Sequence, residues 1–211
     1  MSTFEGLQLR PSDGVIVRLG QRFDELRLRW IDDETPVGGS MPISVKNAAT
    51  HVLSRPRARR VPVGVIGPSD ATPAQYERAR QLGTALHHCG FTVICGGRSG
   101  AMEGVCRGVS EAGGMAIGIL PDGDWNAAND YVAIPIASGI GEARNAIIAS
   151  AAFALVAVGG GYGTLSEMAL GLRLGRLVIA MPDSLDVDGA VRCNTVDDVL
   201  DRLARRYLAL G

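Results

Sequence analysis

The run Ala154-Leu155-Val156-Ala157-Val158-Gly159-Gly160-Gly161-Tyr162-Gly163-Thr164 decides the fold. Five apolar residues followed at once by glycines read as a strand buried on both faces that turns sharply into a helix, and strands covered on both faces belong to parallel sheets. The apolar stretch 146–161 that contains it is shorter than the roughly 20 residues a membrane helix needs, and it ends in glycine. It therefore reads as a buried helix followed by a buried strand, not as a membrane span.

The same alternation extends outward in both directions. Apolar runs predict strands near residues 61–66, 91–95, 115–120, 132–135, 154–158 and 177–181, with helices over 72–90, 101–112, 142–152, 165–174 and 196–208. Thr72-Pro73-Ala74-Gln75 supplies a capping box with proline at the first helical position, and Gly90, Gly113 and Gly175 stand where helices should stop. This predicts an α/β, Rossmann-like three-layer domain with a mostly parallel sheet over residues 61–211. Residues 1–54 read instead as a small N-terminal β-meander, with strand-like runs at 15–19 and 26–31. Arg55-Pro56-Arg57-Ala58-Arg59-Arg60 forms a basic linker over 55–60, either a solvated connector or a phosphate-contacting arm.

Composition narrows the function. The 211 residues carry a net charge of -1, which argues against nucleic acid or an acidic membrane as partner. Lys46 is the single lysine among 21 basic residues, so a Schiff-base mechanism has one candidate, and it lies outside the loops that follow the strands. Cys89, Cys95, Cys106 and Cys193 have no metal-ligand spacing with each other or with the three histidines, so no metal site is expected. Unpaired cysteines and a first segment, Met1-Ser2-Thr3-Phe4-Glu5, without a basic region before an apolar one point to the reducing cytoplasm.

In a parallel sheet ligands bind beyond the carboxyl ends of the strands, so the loops there hold the candidate residues. Gly160, Gly161, Tyr162, Gly163 and Thr164 open a helix whose amides and dipole favour an anion such as phosphate. No GKS or GKT ending is present, which excludes a P-loop, and no GxGxxG follows the first strand. Thr164-Leu165-Ser166-Glu167 has two readings. It is a capping box, with both side chains serving backbone amides, or Thr164 donates to phosphate while Glu167 points into a pocket. Arg144 at the opening of an apolar helix opposes the dipole, so it serves either a salt bridge or a ligand phosphate or ribose. A second glycine-rich loop contributes Gly97, Arg98, Ser99 and Met102, the last a base platform or a core residue, and Gly67 and Ser69 follow the first strand.

Taken together these motifs resemble the Lonely Guy family of cytokinin-type phosphoribohydrolases and the molybdenum cofactor carrier proteins, a superfamily often mislabelled as lysine decarboxylases. The similarity spans residues 61–208. The family's PGGxGTxxE corresponds to the run from Gly159 to Glu167, and its GGGxxGLMG to the run from Cys95 to Glu103. The resemblance implies that Arg144 and Glu167 are catalytic in hydrolysing the N-glycosidic bond of a nucleoside 5′-monophosphate, with no cofactor required. Departures occur at Gly159, Glu142, Asn145 and Ser166, where the family carries proline, basic residues and a carboxylate. They resemble the carrier branch and imply the alternative of a non-catalytic carrier or sensor of molybdenum cofactor or a nucleotide. Either branch implies a small phosphorylated nucleotide or pterin as ligand. A homodimer or homotetramer is expected from the apolar helix 146–152. The single lysine contradicts a lysine decarboxylase.

Overall fold

The computed structural model describes residues 6–35 and 38–210, which fall into two compact units, one of residues 61–199 and one of the described residues up to 60 together with 200–210. The expectations for residues 1–5 lie outside the described residues.

In the larger unit seven strands form one parallel sheet: β6 (Pro62–Ile66), β7 (Thr92–Cys95), β8 (Ala116–Leu120), β9 (Val132–Ala137), β10 (Ala154–Ala157), β11 (Leu177–Ala180) and β12 (Val191–Arg192). The helices between them are α2 (Pro73–His88), α3 (Ala101–Glu111), α4 (Arg144–Ala151) and α5 (Tyr162–Arg173). The order of β6 to β11 and of these helices is the one the alternation predicts, and β12 is an additional two-residue strand. The capping box at Thr72 and Gln75 is formed, each side chain bonding the other residue's backbone amide. All four residues of β10 are buried. Its Leu155 packs in the core with Ile66, Ile94, Ile148, Met168 and Val178, each worth about 1.5–3 kcal/mol of transfer free energy when fully buried. Gly83, Gly104 and Gly108 let α2 and α3 approach so closely that a Cβ on any of them would overlap the facing backbone.

Across the sheet the strands run β12-β11-β10-β6-β7-β8-β9. The chain moves outward from β6 through β9, returns through α4, and resumes at β10 on the other side of β6. The order therefore reverses between β6 and β10, and a crevice opens beyond their carboxyl ends.

The smaller unit holds an antiparallel sheet ordered β4-β3-β2-β1-β5, built from β1 (Gln8–Arg10), β2 (Val15–Arg18), β3 (Gln21–Asp24), β4 (Arg29–Asp32) and β5 (Met41–Pro42). The run 26–31 read as one strand is instead the turn and second arm of a hairpin. The Asp24 carboxylate accepts from the Leu26 and Arg27 amides and ends β3, and Leu28 takes φ 52° to turn the chain. Residues 45–54, read within the meander, form helix α1 (Val45–Ser54), started by Ser44 accepting from the Asn47 amide. Its buried residues, Val45, Ala48, Ala49, Val52 and Leu53, show the helical spacing that marks it. The last helix, α6 (Val196–Tyr207), begins in the larger unit, and residues 200–210 belong to the smaller one. Within that smaller unit the Trp30 indole donates to the Leu208 carbonyl at 2.8 Å, and the Tyr207 hydroxyl donates to the Arg59 carbonyl at 3.0 Å.

Candidate functional site

A cavity of about 300 Å³ occupies the crevice beyond β6 and β10. Of the sequence-derived candidates, Gly67, Ser69 and Arg98 line it from the loops after β6 and β7, Met102 from the start of α3 and Arg144 from the start of α4. Gly161, Tyr162, Gly163, Thr164 and Glu167 line it from α5.

Helix α5 starts earlier than the glycine run suggests. Gly161 is its N-cap, in extended backbone and without a side-chain cap, and Tyr162 is its first residue. Glycine costs little in the first turn, where intrahelical bonds have not begun. The first such bond runs from the Leu165 amide to the Gly161 carbonyl at 2.9 Å. Among the described residues the amides of Tyr162, Gly163 and Thr164 make no hydrogen bond. A Cβ placed at Gly161 would meet nothing within 4 Å, so the space before these amides is open. Open amides at a helix start favour an anion.

This helix start also separates the two readings of Thr164 and Glu167. Thr164 is the third residue of α5, not its cap, and a capping box at this position does not form. Its hydroxyl oxygen is buried without a hydrogen-bond partner, although the residue is only 3% exposed. Glu167 lies one helical turn further on. Its carboxylate is 3.7 Å from the Arg144 guanidinium, beyond hydrogen-bond reach, and both side chains are buried. Burial pushes the Glu167 carboxyl up to about 8, the Arg144 charge opposing this and the Glu142 charge adding to it. Glu167 is therefore mostly protonated at neutral pH. Arg144 is left as a buried cation without a full countercharge, its Nε lacking a partner. Such a cation favours an incoming anion strongly.

Gly96 lets this guanidinium lie against the loop after β7, for a Cβ there would overlap both the guanidinium and the Met102 sulfur. Met102 is 7% exposed and belongs to core and cavity wall alike.

Three sequence candidates stay outside the cavity. Gly97, with φ 70°, packs on Gly118 and Leu120 and gives its amide to the Cys95 sulfur at 3.3 Å. The Ser99 hydroxyl donates to the Ser69 carbonyl at 3.0 Å and ties two loops together. Gly160 packs against Leu185. Conversely Asp70, Glu142 and Asn145 line the cavity without having been among the candidates. Asp70 directly follows Ser69 in the first post-strand loop, a signal that sufficed to include it. Glu142 and Asn145 flank Arg144 at the two-residue and one-residue positions that a single helical turn carries to the same site. Among the described residues no group of three or more His, Cys, Asp or Glu could hold a metal, and no helix is long and apolar enough to cross a membrane.

Residues 60–202 match the model of the SLOG cluster4 family. An uncharacterised protein of Archaeoglobus fulgidus is 37% identical over 127 residues, covering 60% of this chain and 83% of its own. A rice protein described as a probable cytokinin riboside 5′-monophosphate phosphoribohydrolase is 36% identical over 116 residues, covering 53% of this chain but only 47% of its own length. Among solved structures, the molybdenum cofactor binding protein of Rippkaea orientalis superposes with a TM-score of 0.65 at 32% identity, over 69% of this chain and 96% of its own. The molybdenum cofactor carrier protein of Chlamydomonas reinhardtii does so with a TM-score of 0.64 at 34% identity, over 72% and 99%. With that match over most of its length, the chain belongs to the SLOG cluster4 family, in the superfamily of Lonely Guy proteins and molybdenum cofactor carriers.

Proposed function

We propose that the protein binds the phosphate of a nucleotide-like ligand on the amides of Tyr162, Gly163 and Thr164 and hydrolyses the N-glycosidic bond of a nucleoside 5′-monophosphate. The observation that carries this reading is the open start of α5 beside two buried polar groups without partners, the Thr164 hydroxyl and the Arg144 Nε. Buried polar groups left unpaired cost about 1–3 kcal/mol each, a cost that a phosphorylated ligand relieves. In the reaction Arg144 holds anionic oxygen and Glu167 is the acid. Protonated at pH 7, Glu167 gives its proton to the departing base as the C1′–N bond breaks and its electron pair leaves with the base. Water then adds hydroxide to C1′ and returns a proton to Glu167, yielding ribose 5-phosphate. Incubation of micromolar protein with AMP, followed by chromatography, should show free adenine. Glu167→Gln should abolish its release while AMP still binds; binding without any base release by the unaltered protein would overturn the catalytic part.

A second reading, a carrier of molybdenum cofactor, is supported by the two solved relatives, which match this chain over nearly their whole lengths. In it the same amides hold the pterin's phosphate and no bond is broken. Native mass spectrometry of protein purified from a cofactor-replete host should then show bound pterin, and apo protein without pterin affinity would reject it. Both readings include a homodimer or homotetramer, supported by the exposed face of α4, where Ala146, Ile147, Ser150 and Ala151 line a shallow apolar depression. Light scattering that found a monomer would remove that part.

A further inference from the structure

Two of the departures noted in the sequence, Asn145 and Ser166, touch each other. The Asn145 Nδ2 donates to the Ser166 Oγ at 3.1 Å, and the Ser166 hydroxyl donates to the Gly163 carbonyl at 2.7 Å. The chain of bonds has one direction. A carbonyl only accepts, so the single proton of Ser166 is committed to Gly163, and Ser166 can offer Asn145 nothing but a lone pair. The amide nitrogen must therefore face Ser166, which fixes which end of the Asn145 amide faces the other way. That other end, Oδ1, is buried and has no partner, on a side chain that lines the cavity and is 6% exposed.

The site thus holds an oriented acceptor beside its donors. The α5 amides, the Thr164 hydroxyl and the Arg144 guanidinium suit phosphate oxygens, but Asn145 Oδ1 would repel them and needs an N–H or O–H. A hydroxyl a few bonds from the phosphate, as in ribose 5-phosphates, satisfies the whole set. We propose that Asn145, oriented by Ser166, is a specificity residue that accepts a hydrogen bond from a ribose hydroxyl of the bound nucleoside monophosphate. This rests on the phosphate-seat reading above and narrows it to phosphorylated ligands that also present a hydroxyl. Ser166 is a positioning residue, acting only through the Asn145 amide.

The test is calorimetric titration with inorganic phosphate, AMP, 2′-deoxy-AMP and 3′-deoxy-AMP. The unaltered protein should bind AMP about tenfold more tightly than one of the two deoxy analogues, the loss of one hydrogen bond in a desolvated site. Asn145→Ala should bring that ratio to about one while inorganic phosphate binds at least as tightly as before. Ser166→Ala, at an exposed position where folding is not at risk, should give an intermediate ratio because the amide is free to turn over. Equal affinity for all three nucleotides, an unchanged ratio in both variants, or phosphate binding with no gain from AMP would overturn the proposal and leave the phosphate seat standing. Failure of every probe, phosphate included, would instead remove the seat and this proposal together.

Discussion

The chain has two glycine-rich loops that lead from a strand into a helix, Gly96–Gly100 and Gly159–Gly163, and they are glycine-rich for different reasons. The first is closed on itself. The Gly97 amide is spent on the Cys95 sulfur, the Ala101 amide on the Pro68 carbonyl at 3.0 Å, and the Asn129 side chain covers the Gly97 and Arg98 carbonyls at 3.1 and 2.8 Å. Its glycines are required by positive φ and by neighbours that leave no room for a Cβ. The second loop is closed only in its first half, where Gly159 has φ 73° and lies against Gln75, and Gly160 lies against Leu185. Its second half is open, with empty space at Gly161 and three amides without partners. A glycine required by packing and a glycine that leaves room for a ligand look alike in sequence. The structure separates them by asking what an added methyl group would meet.

Substitutions can break this contrast. The first effect is expected at Gly100, where φ is 67° and a Cβ would press on the Pro68 and Ser69 carbonyls. Gly100→Ala should cost about 2–3 kcal/mol in urea unfolding. Near-wild-type stability would mean that the first loop is as slack as the second.

Glu167 gives the next effect, because its raised pKa lowers the stability of the fold in a defined pH window. The unfolded carboxyl titrates near 4.5 and the folded one near 8, so folding takes up a proton between them and stability falls as pH rises through that range. Glu167→Gln removes this penalty. Thermal melts should show the variant more stable than the parent at pH 9 and equal to it at pH 4, whereas a constant difference would mean that Glu167 titrates normally. Gly161→Ala should leave the melting temperature unchanged, since extended backbone and open space admit a methyl group. It should weaken phosphate binding about tenfold by crowding the amides. Loss of stability without loss of affinity would assign Gly161 to packing. The smallest effect is at Thr164. Thr164→Val removes an unpaired buried hydroxyl at constant shape and should raise stability by about 1 kcal/mol. A capping threonine would lose about 1 kcal/mol instead.

Legibility followed the same contrast. Six strands of the parallel sheet were readable because strands such as β10 are buried on both faces and therefore continuously apolar, whereas the two-residue β12 was too short to show a pattern. The smaller unit was harder to read, since Asp24 ends β3 by a local side-chain turn that an alternating pattern hides, and α1 was masked by the strand-like runs before it. At the site, the post-strand loops and Arg144 were legible from position alone. Asn145 was visible only as a departure from a family pattern, because its partner Ser166 is 21 residues away and their bond depends on how α4 packs on α5. The start of α5 was read three residues late, which kept the capping reading of Thr164 open until the helix itself was placed.

The central claim is that the first amides of α5 form a seat for phosphate, and two-dimensional 15N–1H spectra during titration with AMP test it most directly. The amide signals of Tyr162, Gly163 and Thr164 should shift together and saturate, while those of Gly97 and Ala101 hold nearly still. Shifts confined to the first loop, or none at saturating AMP, would contradict the account.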